Sequence, residues 1–243
     1  MKYMIILASL ILYGVSFAQD AETIIERIDR NQSSDTSRFK AVMVIKDKGR
    51  TMEKRFSGAS RDNGRLSYLV FTNPEDDGVK YLKIKDQLWI YFPDADDVMK
   101  ISGHMLKRGM MGSDISYEDM LETESMSAMY KASMNGEKTV NSIPCHIVEL
   151  SAVKDGARYE KQILYVDKER PVPLLIKMYA RGGRLVRTIE QDDITVINGK
   201  HVPLTVRVND ARKTDSGTTI TFTTVEYGVQ LPGDIFTRQN LRK

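Results

Sequence analysis

From residue 39 the apolar positions recur every second residue. Phe39, Ala41, Met43 and Ile45 alternate with Lys40, Val42, Val44 and Lys46, the period of a strand with one face turned to a core. Strand-like segments follow at about 50–58, 65–72, 79–85 and 87–92, separated by Lys48-Gly49, Asp62-Asn63-Gly64, Pro74 to Gly78 and Asp86-Gln87, all turn-forming combinations. A second series spans about 139–151, 158–167, 172–181, 184–197, 201–209 and 218–227, joined through Asp155-Gly156, Asp167-Lys168-Glu169, Gly182-Gly183, Asn198-Gly199 and Ser216-Gly217. Asn-Gly and Gly-Gly between alternating segments predict hairpins, because the central residues of a type I′ turn need positive φ. No βαβ rhythm interrupts the series. The pattern predicts a mainly β chain of roughly eleven antiparallel strands, more than side chains can fill as a closed barrel, so the sheet must enclose a cavity or stay open and be covered.

Two segments break the alternation. Asp20 to Ile28 begins with a capping aspartate, carries acid in its first turn and places Ile24, Ile25 and Ile28 on one face at helical spacing, which predicts an amphipathic helix. The other segment, 99–134, holds Met99, Met105, Met110, Met111, Met120, Met126, Met129 and Met134, eight of the 13 methionines in the chain. Methionine is unbranched and polarizable, and serves both as core filler and at surfaces that accept varied apolar partners. The insert therefore reads either as ordinary core under a long connection or as a movable apolar lid over a concave sheet. Gly103, Gly109 and Gly112 supply the freedom a moving segment needs. Ser113 to Leu121 reads as a short capped helix with acid in its first turn.

Ahead of the first helix the chain has Lys2, an apolar run from Met4 to Val15, and then Ser16-Phe17-Ala18 before Gln19-Asp20. That is the layout of a secretory signal cleaved after Ala18, and the apolar run is shorter than the roughly 20 residues a membrane span needs. The expected organisation is a signal peptide at 1–18 and a single soluble, exported domain at 19–243, with 99–134 as its insert. With 36 Lys+Arg mixed among 33 Asp+Glu and a net charge of +3, no basic face for nucleic acid is expected. Cys145 is the only cysteine; it cannot form an internal bridge and sits in a strand-like setting where a buried structural thiol is expected.

Catalytic signatures are missing from the sequence. His104, His146 and His201 stand far apart without ligand neighbours at metal-binding spacing. There is no GxSxG, HExxH, Walker loop or dinucleotide fingerprint, and Asp94-Ala95-Asp96-Asp97 lacks the glycine and terminal glutamate of a calcium loop. Asp114, Glu118 and Asp119 read as helix caps and dipole partners. The expectation is a protein without catalytic activity, metal or cofactor.

Several stretches resemble the LolA-like outer-membrane lipoprotein-sorting family. They are Leu82 to Pro93, Gly112 to Met120, Cys145 to Leu150, Tyr165-Val166-Asp167 before Pro171 to Leu174, Asn198-Gly199-Lys200 with Val202-Pro203, and Leu231 to Thr237 before Asn240-Leu241. They fall in the family's order over essentially the whole mature chain. The resemblance implies a half-open antiparallel β-barrel, partly closed by helices, whose apolar cavity shields the acyl chains of lipoproteins crossing the periplasm. It implies delivery by an inner-membrane ABC transporter and an outer-membrane acceptor, or, for related members, work beside an RND-type exporter on another lipid or hydrophobic ligand. The expected state is a monomer. An arginine holds the lid in such carriers; Arg50, Arg55, Arg61 and Arg65 are the local candidates, and none matches a motif that assigns the role.

For the acyl-chain site the expected lining is Leu82, Ile84, Leu88, Ile90 and Phe92. A different register across Asp86 instead places Trp89 and Tyr91 on one face with Leu82 and Ile84. Ile24, Ile25 and Ile28 are expected to plug the open side, together with Met105, Met110, Met111 and Met120 of the lid.

Overall fold

The computed structural model describes residues 21–153 and 157–243. The expected signal peptide, the Asp20 cap and the Asp155-Gly156 turn lie outside these residues. In chain order the elements are helix α1 (21–32), β1 (Thr36–Asp47), β2 (Arg50–Arg61), β3 (Leu66–Phe71), β4 (Lys80–Ile84), β5 (Gln87–Phe92) and β6 (Asp97–Ile101). Short 3-10 turns lead to α2 (Tyr117–Leu121) and α3 (Met126–Met129), followed by β7 (Tyr130–Val140), β8 (Ile143–Ala152), β9 (Lys161–Asp167) and β10 (Pro173–Tyr179). The last strands are β11 (Leu185–Ile197), β12 (Lys200–Asp210) and β13 (Ser216–Tyr227).

All thirteen strands belong to one sheet, ordered β6-β5-β4-β3-β2-β1-β13-β12-β11-β10-β9-β8-β7, and the pairs are antiparallel. Its edges, β6 and β7, are not joined to each other, so the sheet is open, as the expected half-open barrel requires. The structure has two strands more than the roughly eleven the alternation predicts, and the additions are the two edges. Met99 and Met134 bound the methionine-rich insert in sequence, yet Met99 lies in β6 and Met134 in β7. The predicted strand at 139–151 is in fact the end of β7 and nearly all of β8, split by a turn at Asn141-Ser142. Both residues take positive φ (47° and 67°) without a glycine, so the usual punctuation is missing.

The chain forms two compact units. In the unit of residues 124–190 with the N-terminal helix, Ala21, Ile25 and Ile28 are buried among Val148, Leu150, Leu164, Val166 and Ile176, while Ile24 is partly buried at the rim. Met126, Met129 and Met134 pack into this same core. The polar side of α1 satisfies backbone groups that the edge strand and short helix leave open: Ala132 N–H donates to Glu22 Oε1 at 2.9 Å, and Met126 and Ser127 N–H donate to the Asp29 carboxylate at 3.0 Å. A helix end and an edge strand both expose unpaired donors, and a fixed carboxylate satisfies them. Cys145 is fully buried here, and burial pushes its thiol up from its ordinary value.

The second unit comprises residues 33–123 and 191–243. Strands β2 to β6 carry apolar clusters on both faces. One face packs under the connection between β6 and α3, the other under the C-terminal segment, where Phe236 and Leu241 are buried against Leu82, Trp89 and Tyr91.

Candidate functional site

The first of these faces is built by alternation. Ala41, Met43 and Ile45 of β1, Phe56 of β2, Leu69 and Phe71 of β3, Tyr81 of β4, Leu88 and Ile90 of β5 and Ile101 of β6 form one continuous apolar surface. Aromatic rings run across it: Phe39 meets Phe56 and Phe222 edge-on at 6.1 and 5.5 Å, Phe56 stacks on Phe71 at 5.3 Å, and Tyr81 touches Phe71 and Tyr117 at 5.8 and 5.9 Å. Offset and edge-on contacts of this kind are favourable beyond the area they bury.

Covering this surface is the segment 103–121. Met110 is buried in the cluster and Met105, Leu106, Met111, Tyr117, Met120 and Leu121 pack partly buried against it. The segment is held together by its own backbone: Met110 N–H donates to Ile115 O at 2.7 Å, Tyr117 N–H to Arg108 O at 3.1 Å, and Ser113 N–H to Met110 O at 2.9 Å. Ser116 caps α2 in a capping box with Asp119, three residues beyond the helix start the sequence predicts. Most of the cover therefore meets the sheet through apolar side chains. Polar ties join it as well: Asp114 N–H donates to Thr218 Oγ1 at 2.8 Å, Lys213 Nζ to Asp114 Oδ1 at 2.6 Å, Tyr81 OH to Met111 Sδ at 3.1 Å, and Lys83 Nζ to Glu122 O at 3.5 Å, while the Tyr81 and Tyr117 hydroxyls lie 3.4 Å apart.

Gly109 has a different role from the freedom expected of it. A Cβ at this position would stand 2.0 Å from the Ser113 carbonyl oxygen, while the backbone itself is ordinary, so the glycine is there for close approach. Gly112, at φ +84°, does use the left-handed region. Gly109→Ala is expected to open the turn at 109–113 at a cost of about 1–3 kcal/mol. Limited proteolysis should then cut within 103–121 faster than in the parent, with a smaller shift in global unfolding.

Register decides how the expected lining residues divide. Leu82 pairs with Trp89, Tyr81 with Ile90, and Lys83 with Leu88. Leu88 and Ile90 consequently lie under the cover with Met105, Met110, Met111 and Met120. Leu82, Ile84, Trp89 and Tyr91 share the opposite face under the C-terminal segment. The second of the two registers considered from sequence is the one adopted. Phe92 is exposed at 36% and belongs to neither cluster, because it ends β5. Ile24, Ile25 and Ile28 serve the core of the other unit.

Sequence reasoning missed Phe56, Phe71, Tyr81 and Phe222 as parts of this surface. The alternation of each strand was readable, but which strands lie side by side was not. It also missed Lys83, whose side chain is buried at 4% exposure on the apolar face opposite Leu88. Burial depresses its ammonium to about 8, and the neighbouring Glu122 carboxylate offsets part of that fall. Burial, and then the adjacent Tyr117, raise the Tyr81 hydroxyl, so it stays protonated and available as a donor.

A family model described only as that of an uncharacterized protein matches residues 63–243. The chain belongs to this family, and its fold is LolA-like. A DUF1329 family protein from Desulfovibrio piger is 28% identical with a TM-score of 0.83, over 93% of this chain and 99% of that one. A domain from Vibrio parahaemolyticus described as outer membrane lipoprotein-sorting is 20% identical, with a TM-score of 0.79 over 93% of this chain and 100% of that one. The LolA superfamily protein NE2245 from Nitrosomonas europaea is 19% identical, with a TM-score of 0.72 over 90% of this chain and 98% of that one. No curated protein matches the chain. In this LolA-like fold no described helix is long and apolar enough to cross a membrane, and among the described residues no cluster of histidine, cysteine or carboxylate side chains could hold a metal ion.

Proposed function

We propose that the protein is a periplasmic carrier that shields the acyl chains of a lipoprotein or lipid between the β1–β6 face and the 103–121 cover. The observation that carries this reading is the continuous apolar face packed under a methionine-rich segment that is internally hydrogen-bonded. The LolA-like fold supports it. Each buried CH₂ contributes about 0.8 kcal/mol, so a single long acyl chain exposed to water costs on the order of ten kcal/mol. A carrier meets that cost while loaded and must lose its own exposed lining when empty. In the structure the cover's methionines occupy the face; cargo enters by displacing them, and unbranched methionine repacks against either partner. Such a hand-over makes and breaks no covalent bond, so the protein acts without catalysis or cofactor. Cargo arrives from an inner-membrane ABC or RND-type transporter and passes to an outer-membrane acceptor. The working form is the monomeric chain 19–243 after removal of the signal peptide.

Native mass spectrometry of the protein isolated from its own periplasm tests this. The expected result is an added mass that dissociates as a diacylated or triacylated lipoprotein. Met120→Glu places a carboxylate on the half-buried inner side of the cover, where it can still reach water, and should abolish the added mass without changing the circular dichroism. A free lipid in its place would assign the protein to the exporter-linked role. Loading that Met120→Glu leaves unchanged would remove this face from the site.

A further inference from the structure

The opposite face of β5 and β6 carries a second, chemically different feature. A cleft of about 530 Å³ is lined by Trp89, Val98, Lys100, Arg238, Gln239 and Arg242. Trp89 forms its floor, with Lys100 Nζ 5.8 Å and the Arg238 guanidinium 5.9 Å from the indole centre. Arg242 is paired with Asp96 at 3.0 Å. Lys100 and Arg238 have no carboxylate within ion-pair distance among the described residues, and both stand over the Trp89 ring.

Two like charges gathered about one indole repel each other, and the ring quadrupole only partly offsets this. An anion entering the cleft relieves that repulsion and is attracted by both cations. The three lining cations and the Asp96 carboxylate paired with Arg242 together carry a charge of +2, which matches a phosphate monoester dianion. The arginines offer paired N–H donors to its oxygens, and the indole and Val98 offer an apolar surface to the carbon attached to it. The position is held in place: Phe236 and Leu241 are buried in the sheet face, Lys80 Nζ donates to Leu241 O at 3.1 Å, and Arg61 lies 5.2 Å over the Phe236 ring. The cations of the C-terminal turn are thereby fixed beside Lys100.

We infer that this cleft is a binding site for a phosphate monoester, seated on Lys100, Arg238 and Arg242 with its adjoining carbon on Trp89. The site is separate from the apolar face under the cover and does not depend on the acyl-carrier reading.

Trp89 is the single tryptophan of the chain, so its fluorescence reports this cleft alone. The full chain is titrated with inorganic phosphate, with dihexanoyl phosphatidic acid below its micellar concentration, and with dihexanoyl phosphatidylcholine. Phosphatidic acid is expected to give a saturable change that weakens steeply with salt, and phosphatidylcholine none. A matching response to inorganic phosphate would identify the free anion as sufficient, whereas saturation by phosphatidic acid alone would identify a lipid headgroup. Lys100→Ala and Arg238→Ala, both at exposed positions, should each weaken binding by about tenfold. Equal responses to phosphatidylcholine and phosphatidic acid, no saturable response to either phosphate, or binding unaltered in the double variant would each overturn the assignment.

Discussion

Phe71→Ala is expected to lower the unfolding free energy by about 3–5 kcal/mol, the usual loss when a fully buried aromatic ring is removed from a core. Phe71 has no exposure to solvent and lies between the Phe56 ring at 5.3 Å and the Tyr81 ring at 5.8 Å. Its removal leaves a ring-sized void whose walls are held by strand pairing. Phe71 N–H donates to Val79 O at 2.9 Å, and Phe56 lies directly opposite in the register. A backbone tied in this way cannot collapse inward, so the cavity contribution adds to the lost transfer free energy. The same void would enlarge the space beneath the cover. Denaturant unfolding followed by circular dichroism measures the loss, and a change below 1 kcal/mol would show that this face is loosely packed.

Lys83→Met is expected to act in the opposite direction, raising stability at pH 7. In the folded chain burial lowers the ammonium from 10.5 to about 8, a difference equivalent to roughly 3 kcal/mol. Between these two values the unfolded chain binds more protons than the folded one, so wild-type stability from this group rises with pH across that window. Below pH 8 both states carry the charge, and the full cost of burying it is present. Methionine has similar length and no charge. The variant should therefore gain up to about 3 kcal/mol at pH 7, less the hydrogen bond to Glu122 O, and the gain should shrink as pH rises from 8 to 10.5. Unfolding midpoints of both proteins at pH 7 and pH 10 test this. A gain independent of pH would mean that Lys83 is not the cause, and a loss at pH 7 would mean that its contact with the cover outweighs its desolvation.

Lys83 reaches Glu122 O, where the chain leaves α2, and so ties the sheet to the end of the cover. Lys213 supplies another tie at the buried carboxylate of Asp114. Tyr81 OH adds a contact to Met111 Sδ, and Met105 and Met110 meet the sheet through apolar packing.

The strand alternation of β1 to β5 and β8 to β13, the amphipathic face of α1 and the composition of the cover are properties of local sequence. They were legible because burial on one side of a pleated strand or a helix leaves a period of two or of 3.6. The ordered motifs from Leu82 to Leu241 carried the LolA-like resemblance as well. Edge strands β6 and β7 were hidden because their methionines match the adjoining insert in composition, and because the Asn141-Ser142 turn lacks glycine. Only the tertiary structure decided which half-exposed alternations share a surface. It set the β4–β5 register that sends Leu88 and Ile90 to one face and Trp89 to the other, and it assigned the α1 isoleucines to a separate core. It also brought residues as distant as Lys100 and Arg238 to one indole. Hydrogen-bond pairing between strands and the docking of Phe236 and Leu241 are long-range contacts, and no local periodicity encodes their partners.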